Sequence, residues 1–234
     1  MRYRWALFDV GETLIRPRES FGAVYARVLA PLGLAREAPE WERALRTTWA
    51  EVSASLPPGT DRYGSLPGGE EAYWLRFVRR TLELAGTPTP GLAERALAPL
   101  RSAFAKPEAW KVFPEVEASL DRLRAAGIGL GVVSNWDSRL PVLLDRLGLA
   151  ARFDVVVVSA LAGVEKPHPE IFRRALEGLG ADPTRTAHVG DIPELDGAGA
   201  HAAGIRPILL ERHAPEGTDA VRDLRAAADL LLAS

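Results

Sequence analysis

Short, continuous apolar runs alternate with helical stretches at the two ends of the chain, and this alternation sets the expected fold. Residues 3–9 (YRWALFD) form an apolar run closed by a polar cluster, as a buried strand with function at its C-terminal end would. Residues 128–134 (IGLGVVS) repeat the pattern after a helical stretch over 114–126 that stops at Gly127. Further runs follow at 154–159 (DVVVVS), 186–190 (TAHVG) and 206–210 (RPILL). Helical stretches near 138–147, 169–178 and 194–203 separate them, and a last helix over 218–232 follows. Strand–helix alternation with connections of this length predicts a parallel sheet wound by right-handed crossovers. Ligands of such sheets bind beyond the carboxyl ends of the strands, so the polar residues there are the candidates for chemistry.

The middle of the chain reads differently. Helical periodicity dominates over 21–30, 40–54, 70–85 and 92–104, with Pro/Gly-rich turns at 56–59 and 66–69 and no strand-like run. The expectation is an α/β core, residues 1–15 and 109–234, interrupted by an α-helical module, residues 16–108, with hinges near 16–18 and 106–110. A length of 234 residues suits one core domain carrying a smaller insert.

Composition narrows the function classes. Hydrophobic residues make up 47% and charged residues 26% of the chain, which excludes bulk disorder. Twenty-nine basic against 31 acidic residues give a formal charge of −2. No basic field argues for nucleic acid, and any anion site must be built locally. The absence of cysteine excludes a disulfide framework, a thiol nucleophile and Cys-ligated zinc. No apolar run approaches the ~20 residues of a membrane span, and residues 1–9 lack the long apolar stretch of a signal peptide. The expectation is a soluble, cytoplasmic protein without a membrane partner. Lysine occurs only at Lys106, Lys111 and Lys166, all other basic residues being arginine.

Four polar clusters fall at the predicted strand ends: Asp9-Val10-Gly11-Glu12-Thr13, Ser134-Asn135, Glu165-Lys166-Pro167 and Gly190-Asp191 with Asp196. Each alone has an ordinary explanation. Asp9 would sit in a turn, Ser134-Asn135 would cap a helix, and Lys166 would be a solvated charge beside a helix-starting proline. Four such clusters in this order, each at a strand end, are much harder to assign to turns and caps.

In these four clusters the chain resembles the haloacid dehalogenase superfamily, whose four motifs they match in order. The resemblance covers the whole chain and implies a Rossmann-like parallel-sheet core with an inserted α-helical cap domain at 16–108. It further implies that Asp9 is a nucleophile and metal ligand, and that Ser134 and Asn135 bind phosphoryl oxygens. Lys166 would offset charge on the nucleophile and substrate. Asp191, Asp196 and the Gly11 carbonyl would complete a Mg²⁺ site. The chemistry is coherent on its own terms: a carboxylate can attack phosphorus to form an acyl-phosphate, and a divalent cation eases the approach of two anions.

One departure stands out. Phosphatases of the superfamily place a second Asp two residues after the nucleophile as general acid and base; here that position is Gly11, and Glu12 stands where the family usually has Gly. A general acid contributes ~10²–10⁴-fold, so the expected activity is a Mg²⁺-dependent hydrolase of small phosphorylated metabolites that favours aryl or acyl phosphates. Two alternatives stay open: a non-catalytic protein that binds a partner or ligand on the same fold, and a 2-haloacid dehalogenase. The dehalogenases usually carry tyrosine at the position of Gly11 and lack the Gly-Asp start of the fourth motif. Phosphonoacetaldehyde hydrolases use a cap lysine, and residues 16–105 contain none. Trp41, Trp49, Tyr63, Tyr73, Trp74 and Phe77 are expected to pack the core of the helical module, and Arg16 and Arg18 to be solvated at its hinge. Trp136 borders the pocket or packs in the core. His168 is expected to begin a helix and His188 to be a hydrogen-bonded structural histidine. A homodimer through the cap surface is a further expectation that periodicity leaves open.

Overall fold

The computed structural model describes residues 3–57, 59–64, 66–87, 90–215 and 217–233. The chain divides into two compact units, residues 1–16 with 58–61 and 112–234, and residues 17–57 with 62–111. Its strands are β1 (Trp5–Phe8), β2 (Ile15–Pro17), β3 (Trp110–Val112), β4 (Gly129–Ser134), β5 (Val155–Val158), β6 (Thr186–Gly190) and β7 (Arg206–Leu209). Five of them form one parallel sheet in the order β5-β4-β1-β6-β7. β2 and β3 pair in a separate two-stranded ladder where the chain passes between the units. Three residues each are too few to show alternation, which is why the sequence pattern does not reveal them.

The second unit consists mainly of α1 (Phe21–Leu29), α2 (Ala38–Ala54), α3 (Gly69–Leu84) and α4 (Leu92–Phe104). α1 is opened by Ser20, whose hydroxyl accepts the Ala23 N–H, and α2 by a capping box between Glu37 and Glu40. The interior of this unit is aromatic. Trp41, Tyr63, Tyr73 and Phe77 are buried. Trp49 packs 4.6 Å from Phe77 and edge-on to Trp74, and Tyr63 packs 4.9 Å from Tyr73. These rings pack against one another, as the helical spacing suggests.

In the first unit α5 (Val116–Ala125), α6 (Leu140–Arg146), α7 (Ser159–Ala162), α8 (Pro169–Leu179), α9 (Ala198–Ala202) and α10 (Leu224–Ala233) connect or cover the strands. β1 sits at the centre of the sheet, and Ala6, Leu7 and Phe8 are fully buried, as a strand covered on both faces requires. Leu7 and Val133 pack with Ile171, Phe172, Ala175 and Ala200 from α8 and α9. Three elements depart from expectation. The last helix, expected from 218, begins only at Leu224. Ser159, placed in a strand by its apolar neighbours, begins α7. The helix expected from 194 opens instead with a π-helical turn, Pro193–Gly197, which sets Asp196 into the interior; such turns mark functional positions. No helix among the described residues is long and apolar enough to cross a membrane.

Candidate active site

The side chains that matter extend from the carboxyl ends of three adjacent strands. Asp9 follows β1, its N–H still bonded to the Val189 carbonyl at 2.9 Å. Ser134 ends neighbouring β4, and Asp191 follows β6 on the other side. Lys166 enters from the segment before α8, which His168 caps by accepting the Glu170 N–H on Nδ1. Asp9 is 7% and Lys166 2% exposed.

These groups form a continuous hydrogen-bonded line. Asp9 Oδ1 accepts from Ser134 Oγ at 3.0 Å and from Lys166 Nζ at 2.7 Å. The same ammonium donates to Asp196 Oδ1 at 2.6 Å, which also lies 2.8 Å from His188 Nε2. Asp196 Oδ2 accepts the Ile192 N–H at 3.0 Å. A β-carbon on Gly190 would fall 2.2 Å from the Asp196 carboxyl carbon, so only glycine at the end of β6 lets this carboxylate pass. His188 is fully buried inside β6 with its ring edge-on to Phe172. Its Nδ1 has no partner among the described residues.

The electrostatics follow from three carboxylates facing one lysine. Burial works against the charge of Lys166, but Asp196 and Asp9 outweigh it and hold its pKa above the ordinary lysine range. Burial likewise opposes ionisation of Asp196, yet Lys166 and His188 bring its pKa well below the usual carboxylate range. Asp191 goes the other way. Burial, and then the charges of Asp9 and Asp196, push it up to about 7. No other side chain hydrogen-bonds it among the described residues.

One oxygen each from Asp9, Asp191 and Asp196 lies within 4.8 Å of the others. Hard oxygen donors and uncompensated negative charge suit a small divalent cation. Asp9 and Asp191 have oxygens to offer. The Gly11 carbonyl accepts the Thr13 N–H at 2.6 Å and keeps a second lone pair. Asp196 Oδ1 is engaged by Lys166 and His188, while Oδ2 accepts only the Ile192 N–H and, like the Gly11 carbonyl, keeps a lone pair.

Other residues from the sequence reading fall into different places. The Asn135 amide bonds the Lys166 backbone at both ends, Nδ2 to the carbonyl at 3.0 Å and Oδ1 from the N–H at 2.7 Å, which uses one of its two Nδ2 hydrogens. It aims the lysine. Glu12 is exposed, with no hydrogen bond to its carboxylate among the described residues. Trp136 is half-buried, its Cζ3 3.6 Å from where a β-carbon on Gly11 would lie. Arg16 stacks on Phe113, and Arg18 donates to the Glu108 carbonyl.

Two features escape the sequence reading. Residues 59–61 belong with the first unit: Thr60 bridges Val164 in antiparallel fashion, and the Gly59 carbonyl accepts the Glu165 N–H at 3.2 Å. Gly59 has φ +81° and its missing β-carbon would lie 2.6 Å from His168 Cβ, so the glycine is needed for this approach beside Lys166. Its Pro/Gly surroundings signalled only a turn. The second is Arg212, which bonds the carbonyls of Glu12 and Thr13; no local pattern marks a contact across 199 residues.

Comparison with known proteins places this geometry in context. Residues 3–204 match the haloacid dehalogenase-like hydrolase family. Haloacid dehalogenase-like hydrolase domain-containing protein 3 of Danio rerio is 36% identical over 89% of this chain and 85% of its own. A phosphoserine phosphatase of Thermus thermophilus is 35% identical over 88% of this chain and 81% of its own. The crystal structure of a HAD phosphatase from Thermococcus onnurineus superposes with a TM-score of 0.64 at 24% identity, covering 97% of both chains; at that identity the likeness is one of fold.

Proposed function

The chain belongs to the haloacid dehalogenase-like hydrolase family, and from that membership we propose that it is a Mg²⁺-dependent phosphatase of small phosphorylated metabolites. The observation that carries this reading is the buried line Ser134–Asp9–Lys166–Asp196 with Asp191 beside it, a carboxylate with no ion-pair partner among the described residues. Asp9, Asp191 and the Gly11 carbonyl would hold the ion, which when bound supplies charge neutralisation between nucleophile and phosphoryl group.

The chain's own residues account for the rest. Ser134 and Lys166 fix Asp9 through Oδ1, which leaves Oδ2 to attack phosphorus. The new Oδ2–P bond forms as the bond from phosphorus to the leaving oxygen breaks, giving an aspartyl-phosphate. Water then attacks phosphorus, releasing inorganic phosphate and the free carboxylate. Lys166 stabilises the charge that gathers on the phosphoryl oxygens, in a site where few waters compete. Gly11 offers no proton to the leaving oxygen. Leaving groups that depart as stable anions, aryl and acyl phosphates, are therefore favoured over alkyl phosphates.

The dehalogenase alternative shares Asp9, Ser134 and Lys166 but gives Asp191 no task. A non-catalytic binding role would leave the Lys166 line without purpose. The deciding experiment is phosphate release from an aryl phosphate with and without Mg²⁺, beside Asp9→Asn. Metal-dependent turnover that disappears in the variant is expected. Equal rates in both proteins, or halide release from a 2-haloacid in the presence of chelator, would overturn the reading.

A further inference from the structure

Glu12 is the one non-glycine residue with positive φ, +53°, among the described residues. A left-handed L-residue is strained because its β-carbon crowds the neighbouring carbonyl. The strain sits at the centre of a three-residue turn closed by the Thr13 N–H on the Gly11 carbonyl at 2.6 Å, the less favourable hand of such turns. Nothing in the Glu12 side chain offsets it, since the carboxylate is exposed without a hydrogen bond among the described residues. Rotation about φ of residue 12 swings the peptide that carries the Gly11 carbonyl. Whatever holds this angle therefore aims that oxygen and the loop running back to Asp9.

We propose that Arg212 is the positioning residue that holds the Asp9 loop in this left-handed turn. Its Nε donates to the Glu12 carbonyl at 3.1 Å and its Nη2 to the Thr13 carbonyl at 2.8 Å, so two successive peptide groups are pinned to one rigid plane. The guanidinium is itself fixed. Nη1 donates to the buried carboxylate of Glu115 at 2.7 Å, and the group lies 3.3 Å from the ring centroid of Phe113. A planar fork with five donors meets all four partners at once, which an ammonium cannot. The segment after β7 thus sets the geometry at the end of β1. The inference rests on the reading of Asp9 as nucleophile.

The test compares Arg212→Lys with the double variant Arg212→Lys/Glu12→Gly. Lysine keeps the charge beside Glu115 but not the two-carbonyl grip, and glycine accepts positive φ without strain. Two properties are read: kcat and KM for an aryl phosphate with Mg²⁺, and amide hydrogen exchange at Glu12, Leu14 and Ile15 without substrate. Arg212→Lys should lower kcat about tenfold with little change in KM, since small misplacement at a reacting group costs rate more than binding. Exchange at the three amides should rise about tenfold. Glu12→Gly in that background should recover most of both. Should Arg212→Lys unfold the protein, Arg212→Met/Glu115→Gln removes both charges together and is compared with and without Glu12→Gly. Unchanged exchange in Arg212→Lys, or no recovery with Glu12→Gly, overturns the proposal. If the wild-type protein lacks phosphatase activity, the function reading fails alone, and the exchange measurement still decides the role of Arg212.

Discussion

A β-carbon on Gly11 would lie 3.6 Å from Cζ3 of Trp136, an ordinary van der Waals contact. The backbone of Gly11 avoids the left-handed region, so an aspartate is accommodated where the family's acid stands. Gly11→Asp should therefore fold normally and raise kcat/KM on alkyl phosphates about ten- to a hundredfold, below the full reach of general acid catalysis because the indole restricts the carboxylate. Aryl phosphates should gain much less. Paired assays on an alkyl and an aryl phosphate check this, and equal gains on both would contradict the missing-acid account.

Lys166 contacts two buried carboxylates, Asp9 and Asp196. Removing it strands both. Lys166→Met should abolish turnover and destabilise the metal-free protein by about 3–5 kcal/mol, the usual cost of breaking a buried pair from one side. Denaturant unfolding at neutral pH measures it. A loss below about 1 kcal/mol would mean that Asp9 and Asp196 find other partners.

Asp191 gives a pH dependence whose sign can be worked out. Its pKa lies at about 7 in the folded protein against an ordinary 3.8. Between those values the folded chain holds a proton that the unfolded chain has released. Stability of the metal-free protein from this group is therefore greatest at low pH, falls as pH rises through that window, and levels off above about 7. Mg²⁺ competes with the same proton, so its affinity should rise with pH and flatten above 7. Unfolding midpoints in chelator and Mg²⁺ titrations, each taken as the difference between wild type and Asp191→Asn, isolate the effect. A difference that does not vary with pH would remove Asp191 from the metal site.

His188 donates to Asp196 through Nε2, since a carboxylate can only accept. Through Asp196 it steadies the lysine that faces Asp9. His188→Gln, which keeps a donor, should retain more activity than His188→Leu. The leucine variant should lose about tenfold in kcat, a magnitude equal to one modest hydrogen bond. Equal kcat in the two variants would show that packing against Phe172 is the whole role of this residue.

The fold is largely legible because the sheet strands are short, mainly apolar runs, buried in β1, β4 and β6 and partly buried in the edge strands β5 and β7, and a wound parallel sheet brings their carboxyl ends together. That is why Asp9, Ser134, Lys166, Asp191 and Asp196, spread over most of the chain, converge. Legibility stops where a residue's task depends on its partner. Asn135 has the right position for a phosphate ligand, and its amide also matches the Lys166 backbone. The oxygens of Asp196 accept from groups of three segments. Residues 59–61 and Arg212 carry no pattern of their own, because each works through backbone groups remote in sequence.

The register of the central strands has a consequence for how this chain tolerates changes in length. Phe8 stands opposite Val132 on one side and Val189 on the other; its own strand runs one residue further to Asp9, and each neighbouring one two residues further, to Ser134 and Asp191. Successive residues of a strand face opposite ways. One residue inserted between Phe8 and Asp9, or between Val132 and Ser134, would turn the reacting group toward the wrong layer while leaving the sheet intact. The same insertion in the turn at residues 148–149, after α6, displaces nothing that the site uses. A scan of single-residue insertions should thus show narrow intolerant stretches at three strand ends, separated by long permissive ones. Activity would be lost there without loss of fold.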